Sequence, residues 1–379
     1  MNPSIPAASV EERGTIAFTM QRFNDSVVVP GGGWFIAVQN ANTTHFSQIT
    51  TSPHSAYNFN WSPDGSRIAY TLQIYANLPG FMAAPPPSDN FESIMKATTE
   101  FYSNLQQNLQ AMQQIQVMPQ LCIISADGTQ DHCFEDVYAR QFNWSPDGTQ
   151  LVLITSAGGL ELIDVDGKNR RQLMNVSIQT YLGGLSPDGT HLLLADQGLY
   201  TVRHDGTHRH DLPVSSKQII FPAWSPDGTQ IAFIGYQDDS ASLYVIRADG
   251  SDLRQLAPID NFEDVGVVWS PDSQQIAYVS FPPDNEDYAE HEALWVVAAD
   301  GLSEPYKLAE IYGAEVIRDE MNVSEPVWSP DGRRIAFLAL YDPDKFNHDI
   351  YLINPDGSDL RRVTDDGELK TNLAWQPGQ

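Results

Sequence analysis

Short apolar runs punctuated by polar turns recur along the whole chain. Ile68-Ala69-Tyr70, Leu151-Val152-Leu153, Leu192-Leu193-Leu194, Ile231-Ala232-Phe233, Ile276-Ala277-Tyr278 and Ile335-Ala336-Phe337 are the clearest. Runs this short, bounded by Gly, Pro, Asp and Ser, read as buried strands rather than helices. Each follows a conserved-looking turn within the chain: Trp61-Ser62-Pro63-Asp64-Gly65 recurs at Trp144 to Gly148, Trp224 to Gly228 and Trp328 to Gly332. Variants stand at Leu185-Ser186-Pro187-Asp188-Gly189 and Trp269-Ser270-Pro271-Asp272-Ser273. A second run then ends in another Asp-Gly turn, at Asp127, Asp166, Asp205, Asp249, Asp300 and Asp356. In such turns Pro presets φ, Asp caps through its side chain and Gly supplies the positive φ. Each unit therefore predicts four short antiparallel strands, A to D, with tight A–B and C–D turns.

Successive Trp positions, counting Leu185 as one, are 83, 41, 39, 45, 59 and 47 residues apart. A period near 40 residues with four strands is that of a propeller blade. The C-terminus stops at Trp375-Gln376-Pro377-Gly378, a strand A without its strand B, and Gly14-Thr15-Ile16-Ala17-Phe18 is a strand B without its strand A. Joining them completes one more blade, with Trp34-Phe35-Ile36-Ala37-Val38 as its strand C, and leaves no open sheet edge. The expectation is all-β: a seven-bladed β-propeller of four-stranded antiparallel blades over 14–379, closed by the N- and C-terminal strands, with one helical insertion. Residues 1–13 read as a flexible tether or a frayed terminus, without the charged and apolar regions of a signal peptide.

With Trp-Ser-Pro-Asp-Gly followed by Ile-Ala-Phe, the units resemble the PD40, or TolB-type, WD40-like propeller repeat from residue 14 to 378. Departures are Leu185 for Trp, Ser273 for Gly, a degenerate Asn40-Ala41-Asn42-Thr43 turn and one large insertion. The resemblance implies six blades and a separate N-terminal α/β domain for TolB itself. Neither is matched here, so the role of TolB does not carry over.

Elaboration concentrates on the B–C and D–A connections, which share one face of such a disc: residues 73–120, 281–292, 309–325 and 340–349. Binding loops on a rigid scaffold belong there. Within 73–120, Ser88-Asp89-Asn90 with Glu92 forms a capping signal. Ile94, Thr98, Phe101, Leu105, Leu109, Met112 and Ile115 then repeat at helical spacing, predicting a helix over about 90–116. Its face of Ile94, Phe101, Leu105, Leu109 and Met112 either packs across the propeller, covers the channel or docks a partner.

Composition sharpens this picture. Asp and Glu number 49 against 21 Lys and Arg, a formal charge of −28, which argues against a nucleic-acid partner. No apolar run approaches the roughly 18 residues of a membrane-spanning helix. The loop face is rich in acids, including Asp264, Asp284, Glu286, Asp287 and Glu325, and attracts basic peptides, cationic small molecules or Ca²⁺. The two cysteines, Cys122 and Cys133, flank Asp127-Gly128 symmetrically, so an ungapped hairpin sets them face to face. A disulfide there points to an extracytoplasmic compartment, periplasmic, secreted or tethered at the surface; paired thiols are the alternative. His204, His208 and His210 cluster without completing a metal set, and no nucleophile elbow, phosphate loop or zinc motif occurs.

Three positions before each Trp, at the start of strand A, lie Asn58, Gln141, Leu182, Phe221, Gly266, Glu325 and Asn372. Together with Asp264, the polar and aromatic members Asn58, Gln141, Phe221, Glu325 and Asn372 are the expected ligand residues at the channel mouth. The reading that follows is a non-catalytic scaffold docking a protein or peptide, with no resident cofactor. The alternatives are a channel-site enzyme, a carbohydrate lyase or lactonase using a divalent metal, and a carbohydrate-binding sensor module.

Overall fold

The structure, a computed structural model, describes residues 14–21, 34–41, 43, 45–50, 56–76, 116–237, 240–259, 266–280, 291–312, 326–340 and 348–378. Among them there are strands and turns and no helix. The expected tether and the expected insertion helix lie outside the described residues.

In chain order, β1 (Thr15–Gln21), β2 (Trp34–Asn40) and β3 (Phe46–Gln48) come first. The next set is β4 (Ala56–Trp61), β5 (Arg67–Ala76), β6 (Gln116–Ser125) and the first half of β7 (Asp131–Trp144). The second half of β7 opens the following set with β8 (Gln150–Thr155), β9 (Gly159–Asp164) and β10 (Arg171–Asn175), so one strand serves as D and then as A. Two separate four-stranded sheets follow: β11 (Tyr181–Leu185), β12 (His191–Ala195), β13 (Leu199–Arg203), β14 (His210–Asp211); then β15 (Gln218–Trp224), β16 (Gln230–Gln237), β17 (Ser240–Arg247), β18 (Arg254–Ile259). After β19 (Val267–Trp269), β20 (Gln275–Ser280), β21 (His291–Ala298) and β22 (Tyr306–Tyr312) come β23 (Val327–Trp328), β24 (Ile335–Leu340), β25 (His348–Ile353) and β26 (Arg361–Arg362). Finally β27 (Leu369–Trp375) pairs with β1, Ile16 opposite Trp375 and Phe18 opposite Leu373, so both ends of the chain share one sheet.

The core lies between sheets rather than within them. Apolar clusters join each set to the next: Phe59, Trp61 and Tyr70 against Ile36, Leu192 and Leu194 against Val152, Trp269 and Ile276 against Leu243. Phe18 and Leu373 complete the circuit against Ile350 and Leu352. Innermost strands touch in succession, β4, β7, β11, β15, β19, β23, β27, and β27 returns to β4.

Indole donors tie this inner circuit together. Nε1 of Trp144 donates to the Asn60 carbonyl (3.0 Å), Trp269 to Ala223 (3.2 Å), Trp328 to Val268 (3.2 Å), Trp375 to Val327 (3.1 Å) and Trp61 to Ala374 (3.3 Å). Each acceptor is the residue just before the Trp of the preceding set. Leu185 interrupts the series twice. Its side chain has no N–H to donate, and Trp224, next in line, leaves Nε1 buried without a partner. The carbonyl due to receive it belongs to Gly184, whose φ is 81° in a strand bulged at Gly183.

The repeated turns are built as their residues dictate. Ser62 Oγ donates to Asp64 Oδ1 (2.5 Å), Ser66 N donates to the same oxygen (3.0 Å), and Arg67 N donates to Ser62 Oγ (3.0 Å). These donors hold the Asp64 carboxyl down at about 2. Ser145/Asp147, Ser186/Asp188, Ser225/Asp227, Ser270/Asp272 and Ser329/Asp331 repeat the arrangement.

Every connection longer than seven residues leaves the sheets at the B–C and D–A end. The largest is shorter than the sequence suggests. Residues 73–76 and 116–119 belong to a continuing β5–β6 ladder, Gln73 opposite Pro119 and Ala76 opposite Gln116. The inserted segment is therefore 77–115 rather than 73–120, and a helix cannot reach Gln116. Those four added rungs have no further strand beside them among the described residues, so a two-stranded ribbon extends about 13 Å from the sheet.

Both Trp144→Phe and Trp224→Phe shrink a ring, but only the first leaves a carbonyl without its donor. Chemical denaturation is expected to show Trp144→Phe costing about 1 kcal/mol more than Trp224→Phe, and equal losses would contradict the indole series.

Candidate functional site

The inner strands start at the elaborated end of the ring, and their first residues are irregular. Register breaks occur in β4 at Asn58, in β7 at Arg140, in β11 at Gly183, in β15 at Phe221 and Pro222, and in β27 at Asn372. A bulge sets two residues opposite one and re-aims the side chains around it. Asn58, Phe221 and Asn372 adopt φ of 37°, 49° and 50°. Asn tolerates this left-handed region; for a bulky ring it is a strained outlier.

These positions have separate surroundings. Asn58 is exposed. Asn372 donates to Thr19 Oγ1 (3.2 Å), beside the Thr19–Thr371 hydroxyl pair that joins β1 to β27. Gln141 is spent on the backbone: its Nε2 donates to the Thr180 carbonyl (3.1 Å) and its Oε1 accepts from Leu182 N (2.7 Å). Phe221 meets Tyr181 edge to face, ring centroids 5.6 Å apart. Leu182 and Gly266 are buried. Asp264, Glu325 and the helix face of Ile94, Phe101, Leu105, Leu109 and Met112 lie outside the described residues.

The groups gathered at the mouth are the neighbours of the expected ones. Arg140 Nη2 donates to the Ser177 (2.8 Å) and Thr180 (3.1 Å) carbonyls, clamping the turn that leads into β11. Its Nε is buried without a partner, as is the hydroxyl of fully buried Thr180. Burial holds the Arg140 guanidinium below the ordinary arginine range. Tyr181 and then Phe221 follow round the ring, and Ile178 at the tip of the clamped turn is 74% exposed. A bulge one residue out of step is what hid Arg140 from a count back from Trp144; the Gly183-Gly184 pair was the visible sign of irregular backbone.

A second charged group lies at the same end of the seam between β25 and β27. Fully buried Lys370 bonds Asp366 and the Glu368 carbonyl (3.0 Å) and faces buried Asp349 at 3.8 Å. Arg362 (2.5 Å) and the Thr364 hydroxyl (2.9 Å) complete Asp349. His348 beside it has an unpartnered Nδ1, and burial, then Lys370, push its imidazole down to about 4. The charges of Lys370, Arg362, Asp349 and Asp366 are matched within the cluster, which reads as a lock on the closing strand.

At the opposite end, Cys122 and Cys133 are register partners bonded to each other, with an S–S distance of 1.95 Å. His204, His208 and His210 are exposed there, and His208 lies outside any strand with its Nδ1 2.8 Å from Thr207 Oγ1. Among the described residues no three His, Cys, Asp or Glu side chains gather to hold a metal ion.

The fold these features define is an all-β propeller. Comparison with solved structures supports that class. A manganese complex of oligogalacturonate lyase aligns over 93% of this chain and 86% of its own, with 13% identity and a TM-score of 0.55. A Bacteroides fragilis protein provisionally assigned as a 6-phosphogluconolactonase aligns over 99% of both chains, with 11% identity and a TM-score of 0.56. TolB from Acinetobacter baumannii aligns over 86% of this chain and 82% of its own, with 14% identity and a TM-score of 0.48. No family model and no curated protein matches the chain.

If Gln141 serves the scaffold, removing its amide destabilises the β7–β11 seam. Gln141→Leu is expected to lower unfolding free energy by about 1–2 kcal/mol in urea titrations, through the stranded Leu182 N–H, whereas no change would return Gln141 to the ligand side.

Proposed function

We propose that the protein is a non-catalytic docking propeller whose B–C/D–A face receives a basic protein or peptide. The observation that carries this reading is the coincidence of length and charge at one end of the ring. Every long connection leaves there. The segments 22–33, 77–115, 238–239, 260–265, 281–290, 313–325 and 341–347, all B–C or D–A connections, hold nineteen Asp and Glu against four Lys and Arg. More than half of the net charge of −28 thus sits in a minority of the chain. Charge of one sign around a concave mouth raises the local concentration of opposite charge and speeds association. The ribbon of β5 and β6 adds a projecting element at that end.

The opposite end, with its connections of five to seven residues and self-satisfied turns, offers no comparable elaboration. Lyase and lactonase neighbours share the fold, but at 11–13% identity they lend no chemistry to this chain. The Cys122–Cys133 bond supports an oxidising, extracytoplasmic setting, where such a crosslink persists.

Fluorescence anisotropy of labelled dodecapeptides tests the docking reading. A Lys-containing Gly/Ser peptide is expected to bind, with affinity falling at least about tenfold between 50 and 500 mM salt, while a Glu-containing counterpart does not. Neutralising Asp284, Glu286, Asp287 and Glu290 to Asn or Gln is expected to weaken the basic peptide. Equal binding of both peptides, or none of either, overturns the reading.

A further inference from the structure

Arg140 is a guanidinium without a counter-ion. Arg334 bonds Asp359 at 2.7 Å and Arg362 bonds Asp349 at 2.5 Å, whereas Arg67 donates to the Gly148 carbonyl at 2.8 Å and lies over the Trp144 ring. Arg140 has only the Ser177 and Thr180 carbonyls, and its Nε points at no acceptor. In a chain of charge −28, a partly desolvated cation without a carboxylate runs against composition, and its buried Nε without an acceptor runs against solvation.

The unused polar capacity is local. Thr180, with no exposed surface, keeps a hydroxyl free of any partner on the turn that Arg140 clamps. Tyr181 follows it directly, and Phe221 holds its strained left-handed conformation against the Tyr181 ring. β7, the turn before β11, and the strands β11 and β15 thereby carry a fork of N–H donors, a hydroxyl and an aromatic pair, in that order around the ring. A guanidinium fork matches the two oxygens of a carboxylate, and the rings match an apolar group beside it. The acidic connections that leave the sheets at this end then favour a ligand that is positively charged farther along.

We infer that Arg140 and Thr180, flanked by Tyr181 and Phe221, form a carboxylate subsite that takes the C-terminus and last apolar side chain of a basic peptide. Binding exchanges the Ser177 and Thr180 carbonyls for the carboxylate oxygens as partners of Arg140. The basic character of the ligand rests on the docking reading above; the carboxylate subsite does not.

The test titrates the full chain with one N-terminally labelled dodecapeptide of Lys, Gly and Ser ending in Leu, made as the free acid and as the C-terminal amide. The acid is expected to bind at least tenfold more tightly than the amide. Arg140→Gln is expected to remove that difference, and Arg140→Lys, which keeps the charge but not the fork, to retain part of it. Melting curves of both variants establish folding; should the Gln variant fail to fold, the acid-to-amide ratio of the wild type and the Lys variant decides. Equal affinity for acid and amide overturns the subsite and leaves basic-peptide docking standing. If neither dodecapeptide binds, the thermal shift produced by acetyl-Gly-Leu decides separately. A shift with its acid and not its amide supports the subsite while removing the docking reading, and no shift with either overturns the inference.

Discussion

An indole N–H has one bond to give, and in this propeller it is given across the gap between sheets. Four-stranded sheets arranged around an axis bury their faces against one another, but apolar contact alone does not set the angle or height at which one meets the next. The Trp Nε1 bond to the carbonyl before the preceding Trp does so, because it is directional and links equivalent points of successive inner strands. The series passes through the terminal sheet as well, from Val327 to Trp375 and from Ala374 to Trp61. Closure is thereby held by the same interaction as the interior of the ring, supplemented by buried Lys370 against Asp349 and Asp366.

The mouth follows from that scaffold and from the place where it is interrupted. Around β11 the indole bond is missing on both sides, and three of the buried side-chain polar atoms without partners flank that gap: Arg140 Nε, Thr180 Oγ1 and Trp224 Nε1. Gln141 bridges the gap with two bonds to the β11 backbone. A seam held by amide and guanidinium groups rather than by an indole is a seam that exposes polar chemistry to the channel. Strain at Phe221 belongs to the same sector, where backbone outliers are kept because the surrounding structure over-determines them.

Much of the fold was legible because its signals are local and repeated. Ser-Pro-Asp-Gly specifies one turn through short-range bonds, so its recurrence marked the A–B turns, and the symmetric placement of Cys122 and Cys133 about Asp127-Gly128 marked a hairpin pair. Strand ends are set by pairing partners rather than by local residues. The β5–β6 ladder therefore ran four rungs past the boundary read from the sequence, through residues 73–76 and 116–119. The site was less legible for the same reason. Counting three back from each Trp assumes regular strands, and a single bulge at Arg140 or Gly183 changes which side chain faces the mouth. Gln141 consequently turned out to be committed to backbone, while its neighbour Arg140 carries the unpaired charge. Loop-borne Asp264 has no repeat to anchor it.

Native-state hydrogen exchange across β27 and β1 tests the closed ring most directly. If terminal strands complete a sheet clasped like the others, amides of Ala17, Phe18 and Leu373 to Trp375 exchange as slowly as those of Ile231 to Ile234 in the interior of the ring. Exchange of the terminal set orders of magnitude faster than the interior strands, as in fraying ends, would contradict it.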